Sequence, residues 1–142
     1  VCRPPKDEAW IWHTLELKAS PAWRGRSIHC IRFIDFLELE HLHHGGYNNG
    51  NLIATHKQLK AFGIHPNYIK GAMLEAEELG LVKIKWGERR GYSSCYTNRF
   101  TLAYAAEKVW DERSSYFIPA TNEWKKTSQE DIISIKRHSK KK

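Results

Sequence analysis

Apolar residues at Ile69, Ala72, Met73, Ala76 and Leu79 recur at the spacing of one helical face, and Gly80 closes the run. Just upstream, Thr55 followed three positions later by Gln58 makes a capping-box pair, which predicts a first helix from about His56 to Phe62. Gly63 supplies the left-handed residue that stops it. Pro66, after His65, restarts the chain as a helix at the first position, where a missing N–H is harmless. The stretch from Thr55 to Gly80 is therefore expected to form two helices joined by a tight turn.

The flanking patterns look like support for that pair. Ser27 caps a helix predicted to run to about His44, with Ile28, Ile31, Ile34, Phe36, Leu37, Leu39 and Leu42 as a broad apolar face. His41, His43 and His44 fall in its last turn, where histidine meets free carbonyls and the negative end of the helix dipole. His41 and His44 share a face, but no Cys or acidic partner stands at ligand spacing, so no metal is expected. Gly45 to Asn51 is a loop tolerant of positive φ that lacks the Lys and Ser/Thr of a phosphate-binding loop.

Leu52 to Ala54 predicts a very short strand. Leu81 to Trp86 predicts a half-buried strand, Gly87 to Ser94 a polar turn, and Cys95 to Tyr104 a returning strand, which together make a hairpin. At the N-terminal side, Trp10, Trp12, Leu15 and Leu17 form an apolar patch in need of cover; Trp10, Trp12 and Trp23 are assigned to the core rather than to base stacking. Ser20-Pro21 opens a short helical turn. Beyond Ala105 the pattern weakens, and Trp110, Tyr116, Phe117, Ile118 and Trp124 predict a segment packed back on the domain. Thr121 to Glu123 predicts a helix start, Ser128 to Asp131 caps a last helix, and the terminal HSKKK is expected to be disordered.

Composition narrows the partner. The formal charge of +7 and pI near 9.4 favour nucleic acid first and an anionic membrane surface second. From Lys125 to Lys142 seven basic residues stand against Glu130 and Asp131, so this end holds +5 and the other 124 residues only +2. A DNA-binding surface must then be a local patch. Cys2, Cys30 and Cys95 are widely spaced with no CxxC pair, which speaks against a disulfide framework or structural zinc and fits a reducing cytoplasm. No apolar run approaches the ~18 residues of a membrane span, and the first residues lack a signal-peptide apolar region.

The order of long helix, short strand, two helices and a basic-tipped hairpin resembles the winged helix-turn-helix DNA-binding superfamily, in outline its small bacterial, plasmid- or phage-associated members. The resemblance is carried by HGGYNNGNLIAT, the capped helix to Phe62, GIHPNYIKGAMLEAEELGLVKI and NRFTLAY, over about Ser27 to Tyr104. It implies an α+β, mostly α, fold with a scaffold helix, a helix pair and a β-hairpin wing. Residues 1–26 become a Trp-rich extension, 27–104 the DNA-binding domain, and 105–142 an extension with a short helix and basic tail. It also implies a cytoplasmic, nucleoid-associated regulator of transcription that binds double-stranded DNA as a homodimer on a two-fold site.

On this reading the second helix enters the major groove by its N-terminal end. Asn67 would pair with adenine, Lys70 reach guanine or a phosphate, and Tyr68 meet a thymine methyl or a phosphate. His65 sits where helix donors and the dipole favour phosphate, and Gly71 invites close approach by DNA or by the preceding helix. Arg89 and Arg90, with Tyr92 beside them, would follow the backbone or enter the minor groove, and Thr55 and Lys57, together with Lys60, are weaker phosphate candidates. Glu75, Glu77 and Glu78 should keep the far end of the helix out of the groove. No nucleophile or carboxylate pair has an enzyme-like setting, and neither cofactor nor small-molecule ligand is expected. The rival readings are a replication or DNA-maintenance factor of a plasmid or phage-like element, and a winged helix used for protein contact.

Overall fold

A computed structural model describes residues 6–87, 89–90, 94–95 and 97–140. The fold is α+β and mostly helical. Short helices α1 (Leu15–Ala19) and α2 (Pro21–Arg24) lead into the long α3 (Ile28–His43); α4 (His56–Phe62) and α5 (Pro66–Glu78) follow. Four short strands, β1 (Val82–Lys85), β2 (Arg89–Arg90), β3 (Ser94–Cys95) and β4 (Arg99–Leu102), form one antiparallel excursion, with β1 pairing β4 and β2 pairing β3. A second hairpin, β5 (Glu107–Trp110) and β6 (Ser115–Ile118), is followed by a 3-10 turn at Glu123–Lys126 and by α6 (Gln129–Lys140).

Each helix of the central pair begins and ends where its side chains dictate. Thr55 accepts the Gln58 N–H at 3.2 Å while Gln58 accepts the Thr55 N–H at 3.0 Å, which closes the capping box. Gly63, at φ 112°, sends its N–H back to Lys60. His65 caps α5, with Pro66 at its first position. Ile69, Ala72, Met73 and Ala76 of α5 are buried as one stripe, packed along α3. Gly80 is φ +76°, and a Cβ there would lie 2.8 Å from the backbone of Glu123 and Trp124, so both conformation and close approach require glycine.

Phe100 of β4 is fully buried, edge-on to Phe33 of α3 with ring centroids 5.3 Å apart. The outer edge of β4 is sealed in an unusual way. Leu52 exchanges both backbone hydrogen bonds with Phe100, at 2.9 and 3.3 Å, as an isolated bridge rather than the expected strand. Two residues on, the buried Asn49 side chain takes over: its Oδ1 accepts the Leu102 N–H at 2.7 Å, and its Nδ2 donates to the carbonyls of Leu102 and Ala105, each at 3.0 Å. One carboxamide thus substitutes for a strand of backbone.

Both flanks enter the same core. Leu17 and Ala22 from the N-terminal side, and Trp124 and Ile132 from the C-terminal side, are buried in one cluster with α3 and α5. Thr127 donates to the Leu79 carbonyl at 2.9 Å, and Ser128 caps α6 with Asp131 returning to its N–H. Those hydrogen bonds from Ser128 hold the Asp131 carboxyl below its ordinary range. Trp23 is partly buried against the core, with the Arg26 guanidinium 3.6 Å above its ring. Next to it Glu38 binds the His13 ring at 2.6 Å and accepts the Tyr104 hydroxyl, tying the N-terminal segment to α3. Burial first, and the Glu38 carboxylate second, push the Tyr104 phenol well above its ordinary range.

Three expectations are met only in part. Trp12 is 66% exposed and Trp10 42%, so neither is core; they pack edge-on to each other beside the chain instead. After Ala105, Trp124 packs into the core as expected, whereas Trp110, Tyr116, Phe117 and Ile118 lie on a hairpin whose β6 is exposed throughout. Helical backbone reaches Lys140, three residues into the terminal stretch expected to be disordered, and Lys141 and Lys142 lie outside the described residues; α6 docks through Ile132 against α2 and α5. No helix among the described residues is long and apolar enough to cross a membrane.

His41 is buried and its Nδ1 has no partner among the described residues. Burial lowers its pKa, so around the ordinary histidine value the folded chain binds fewer protons than the unfolded chain. This contribution to stability is complete above the unfolded pKa of about 6.5 and is lost as pH falls through it. The wild-type melting temperature should therefore drop between about pH 7.5 and about pH 5.5, and drop less in His41→Leu. Asp35, whose pKa is raised chiefly by burial, acts with the opposite sign but equally in both proteins. Identical pH dependence in thermal melts would remove His41 from the acid response.

Candidate nucleic-acid interface

The first two turns of α5 are left free by the packing of its buried stripe. Asn67, Tyr68, Lys70 and Gly71 are all exposed, with His65 exposed at the cap. Thr55 and Lys57 are exposed at the start of α4, the other helix of the pair. From Thr55 to Gly71 the chain holds Lys57, Lys60 and Lys70 and no carboxylate.

Local geometry refines their roles. Thr55 is committed to Gln58, its hydroxyl within 3.2 Å of the Gln58 Oε1 as well as of the N–H it caps, so it is no free phosphate donor. His65 uses its Nδ1 to accept the Asn67 N–H at 3.2 Å, so it fills one of the helix donors that an anion would take and turns Nε2 into the ring's remaining polar atom. The Asn67 carboxamide makes no hydrogen bond among the described residues. Tyr68 lies flat on His29 of α3, centroids 4.2 Å apart and planes 5° from parallel, and meets His65 edge-on at 5.9 Å. This stack fixes the ring while leaving Tyr68 about half exposed.

Gly71 resolves between the two motives considered for it. A Cβ added there meets nothing within 4 Å, so packing of the preceding helix does not explain the glycine. Gly71→Ala should accordingly raise stability by about 1 kcal/mol through helix propensity alone. If duplex DNA approaches this face, the same substitution should weaken binding. Thermal melts and a duplex titration of the variant check both signs; raised stability with unchanged affinity would take Gly71 out of the interface.

The acidic end of α5 behaves differently from expectation at one position. Glu75 is half-buried, and its Oε2 accepts the Ser27 N–H at 3.1 Å and the Ser27 hydroxyl at 2.7 Å. It caps the start of α3, which leaves Glu77 and Glu78 as the carboxylates directed away from that contact. Buried nearby, the Cys30 thiol is pushed well up by desolvation and then by Glu75, which disfavours the thiolate.

Sequence reasoning missed His29 and Arg32, neighbours on one face of α3. Arg32 donates to the Gly63 carbonyl at 2.8 Å and so bolts the turn of the helix pair to the scaffold. The i, i+3 spacing of two polar residues on an apolar helix was the available signal. In the other hairpin, Arg89 and Arg90 occupy β2, while their side chains, and Tyr92 entirely, lie outside the described residues. No protein-family model, curated protein or solved structure matches the chain.

Proposed function

We propose that the chain is a sequence-specific double-stranded DNA-binding protein of the winged helix-turn-helix kind, acting as a transcriptional regulator in the cytoplasm. The observation that carries the reading is the free N-terminal end of α5. His65, Asn67, Tyr68, Lys70 and Gly71 are exposed together, with Lys57 exposed on α4, on a stretch without carboxylates. A helix end of this kind can put base-reading side chains into the major groove while lysines meet phosphates. The antiparallel excursion from β1 to β4 follows α5 in chain order, as a wing would, and carries Arg89 and Arg90.

Titrating the full chain against random genomic fragments at two salt concentrations tests this. Binding that weakens steeply with salt, with preferential recovery of promoter-proximal fragments, is the expected result. Recovery of origin repeats instead would establish the replication or maintenance role and overturn the regulator. Absence of salt-dependent binding would overturn DNA binding altogether and leave a protein-contact module.

A further inference from the structure

We infer that the second hairpin is a dimerisation element, with β6 pairing edge to edge with β6 of a second copy of this chain. The inference stands apart from DNA binding, because it concerns the opposite end of the scaffold helix. His29, beside Tyr68, and His41, beside the hairpin, are twelve residues apart on α3, which places them about 18 Å apart along its axis.

A two-stranded hairpin is marginal in water by itself, and β5–β6 pairs with no third strand among the described residues. Its β6, Ser115–Ile118, is exposed at every position and carries no charged residue. Natural edges are normally blunted with charge, proline or cover, and this one has only Pro119 after its end. Aromatic rings also crowd the surface around it. Trp10, Trp12, Tyr47 and Phe117 line a cleft of about 720 Å³, and Lys108 lies over the rings of Tyr47 and Trp110 at 4.3 and 4.2 Å, joining Trp110 to the patch.

These five rings are 42–68% exposed. With about 200 Å² available per aromatic side chain, they offer roughly 600 Å², most of the ~800 Å² per partner that a stable interface buries. That is also at the upper limit of the apolar patch a monomer ordinarily exposes.

Charge selects the occupant. The chain as a whole is +7, yet Ala105 to Ile118 contains Glu107, Asp111 and Glu112 against Lys108 and Arg113, and the neighbouring Lys6, Asp7 and Glu8 are again one base to two acids. A mildly acidic surface does not favour a nucleic-acid strand despite its stacking platforms. β6 itself carries no charge, so two copies of it can pair edge to edge without opposing like charges. Antiparallel β6–β6 pairing would give a four-stranded sheet, satisfy the outward backbone groups and cover the part of the aromatic patch that flanks β6. It would leave both α5 ends free.

Sedimentation velocity of the full chain without DNA, over a micromolar concentration series, tests the assignment. Wild type should show a concentration-dependent monomer–dimer equilibrium. Phe117→Lys, an exposed position, should shift the dimerisation constant at least tenfold toward monomer with unchanged far-UV circular dichroism, and Phe117→Tyr should keep the dimer. Trp110→Lys provides the same reading if Phe117→Lys proves unfolded. A wild type that is monomeric throughout, or a dimer undiminished in the lysine variants, overturns the proposal. So does a monomer whose tryptophan fluorescence is quenched by oligothymidylate, because the patch would then be a strand-binding platform.

Discussion

Asn67→Ala is expected to lose discrimination of about 1–3 kcal/mol at one base position while leaving the fold intact. Its side chain is exposed and makes no hydrogen bond among the described residues, so truncation removes none there. Only its backbone N–H is used, by His65, and alanine keeps that bond. The companion substitution Arg89→Ala should weaken all duplexes by a similar factor and reduce the salt slope, as loss of a phosphate contact does. Binding measured on a panel of single-base variants of one selected site separates the two. If both substitutions act alike across the panel, α5 does not read the bases.

Asn49→Leu is expected to destabilise the protein by about 3 kcal/mol, because each buried backbone group left without a partner costs about 1–3 kcal/mol. Leucine keeps the number of side-chain heavy atoms but is bulkier, so no cavity opens and any overpacking adds to the loss of the hydrogen bonds. The Leu102 N–H and the Leu102 and Ala105 carbonyls would all lose the Asn49 carboxamide. For a chain of this size the melting temperature should fall by roughly 10 °C. The damage should centre on β4, whose outer edge Asn49 and Leu52 close, and should be visible as faster amide exchange at Leu102. A melting temperature within a degree or two of wild type would mean that water replaces the carboxamide without loss.

The helix pair was legible in the sequence because its boundaries are set by local chemistry. Thr55 with Gln58, Gly63, and His65 with Pro66 act within a turn of their own positions, and all three caps form where the spacing predicts. The long helix and the β1–β4 pairing were legible for the same reason, through Ser27 and through strict alternation from Val82. What depended on distant residues was not. Glu75 reads as surface charge until Ser27, 48 positions away, is brought to it. Tyr68 is an exposed aromatic in any local reading, and only tertiary packing lays it on His29.

Asn49 looked like one turn residue among several, since nothing nearby announces the strand edge it completes. The second hairpin escaped because its turn, Asp111 to Ser114, has none of the Gly or Asn that mark tight reversals, and because Trp110, Tyr116 and Phe117 suggest burial. Base rates for tryptophan led the same way at Trp10 and Trp12, which the fold leaves outside. For the candidate site, the exposed cluster from His65 to Gly71 was readable from helical phase alone. The commitments of Thr55 and His65 to capping, and the open space beside Gly71, needed coordinates.

The most direct test of the central claim is an NMR titration of the isotope-labelled chain with a duplex recovered by selection, following every backbone amide. Shift changes and broadening should concentrate at His65 to Gly71, with lesser effects at Lys57 and along β2 and β3. Perturbations confined to β5, β6 and the Trp10–Trp12 segment, with α5 unmoved, would contradict it.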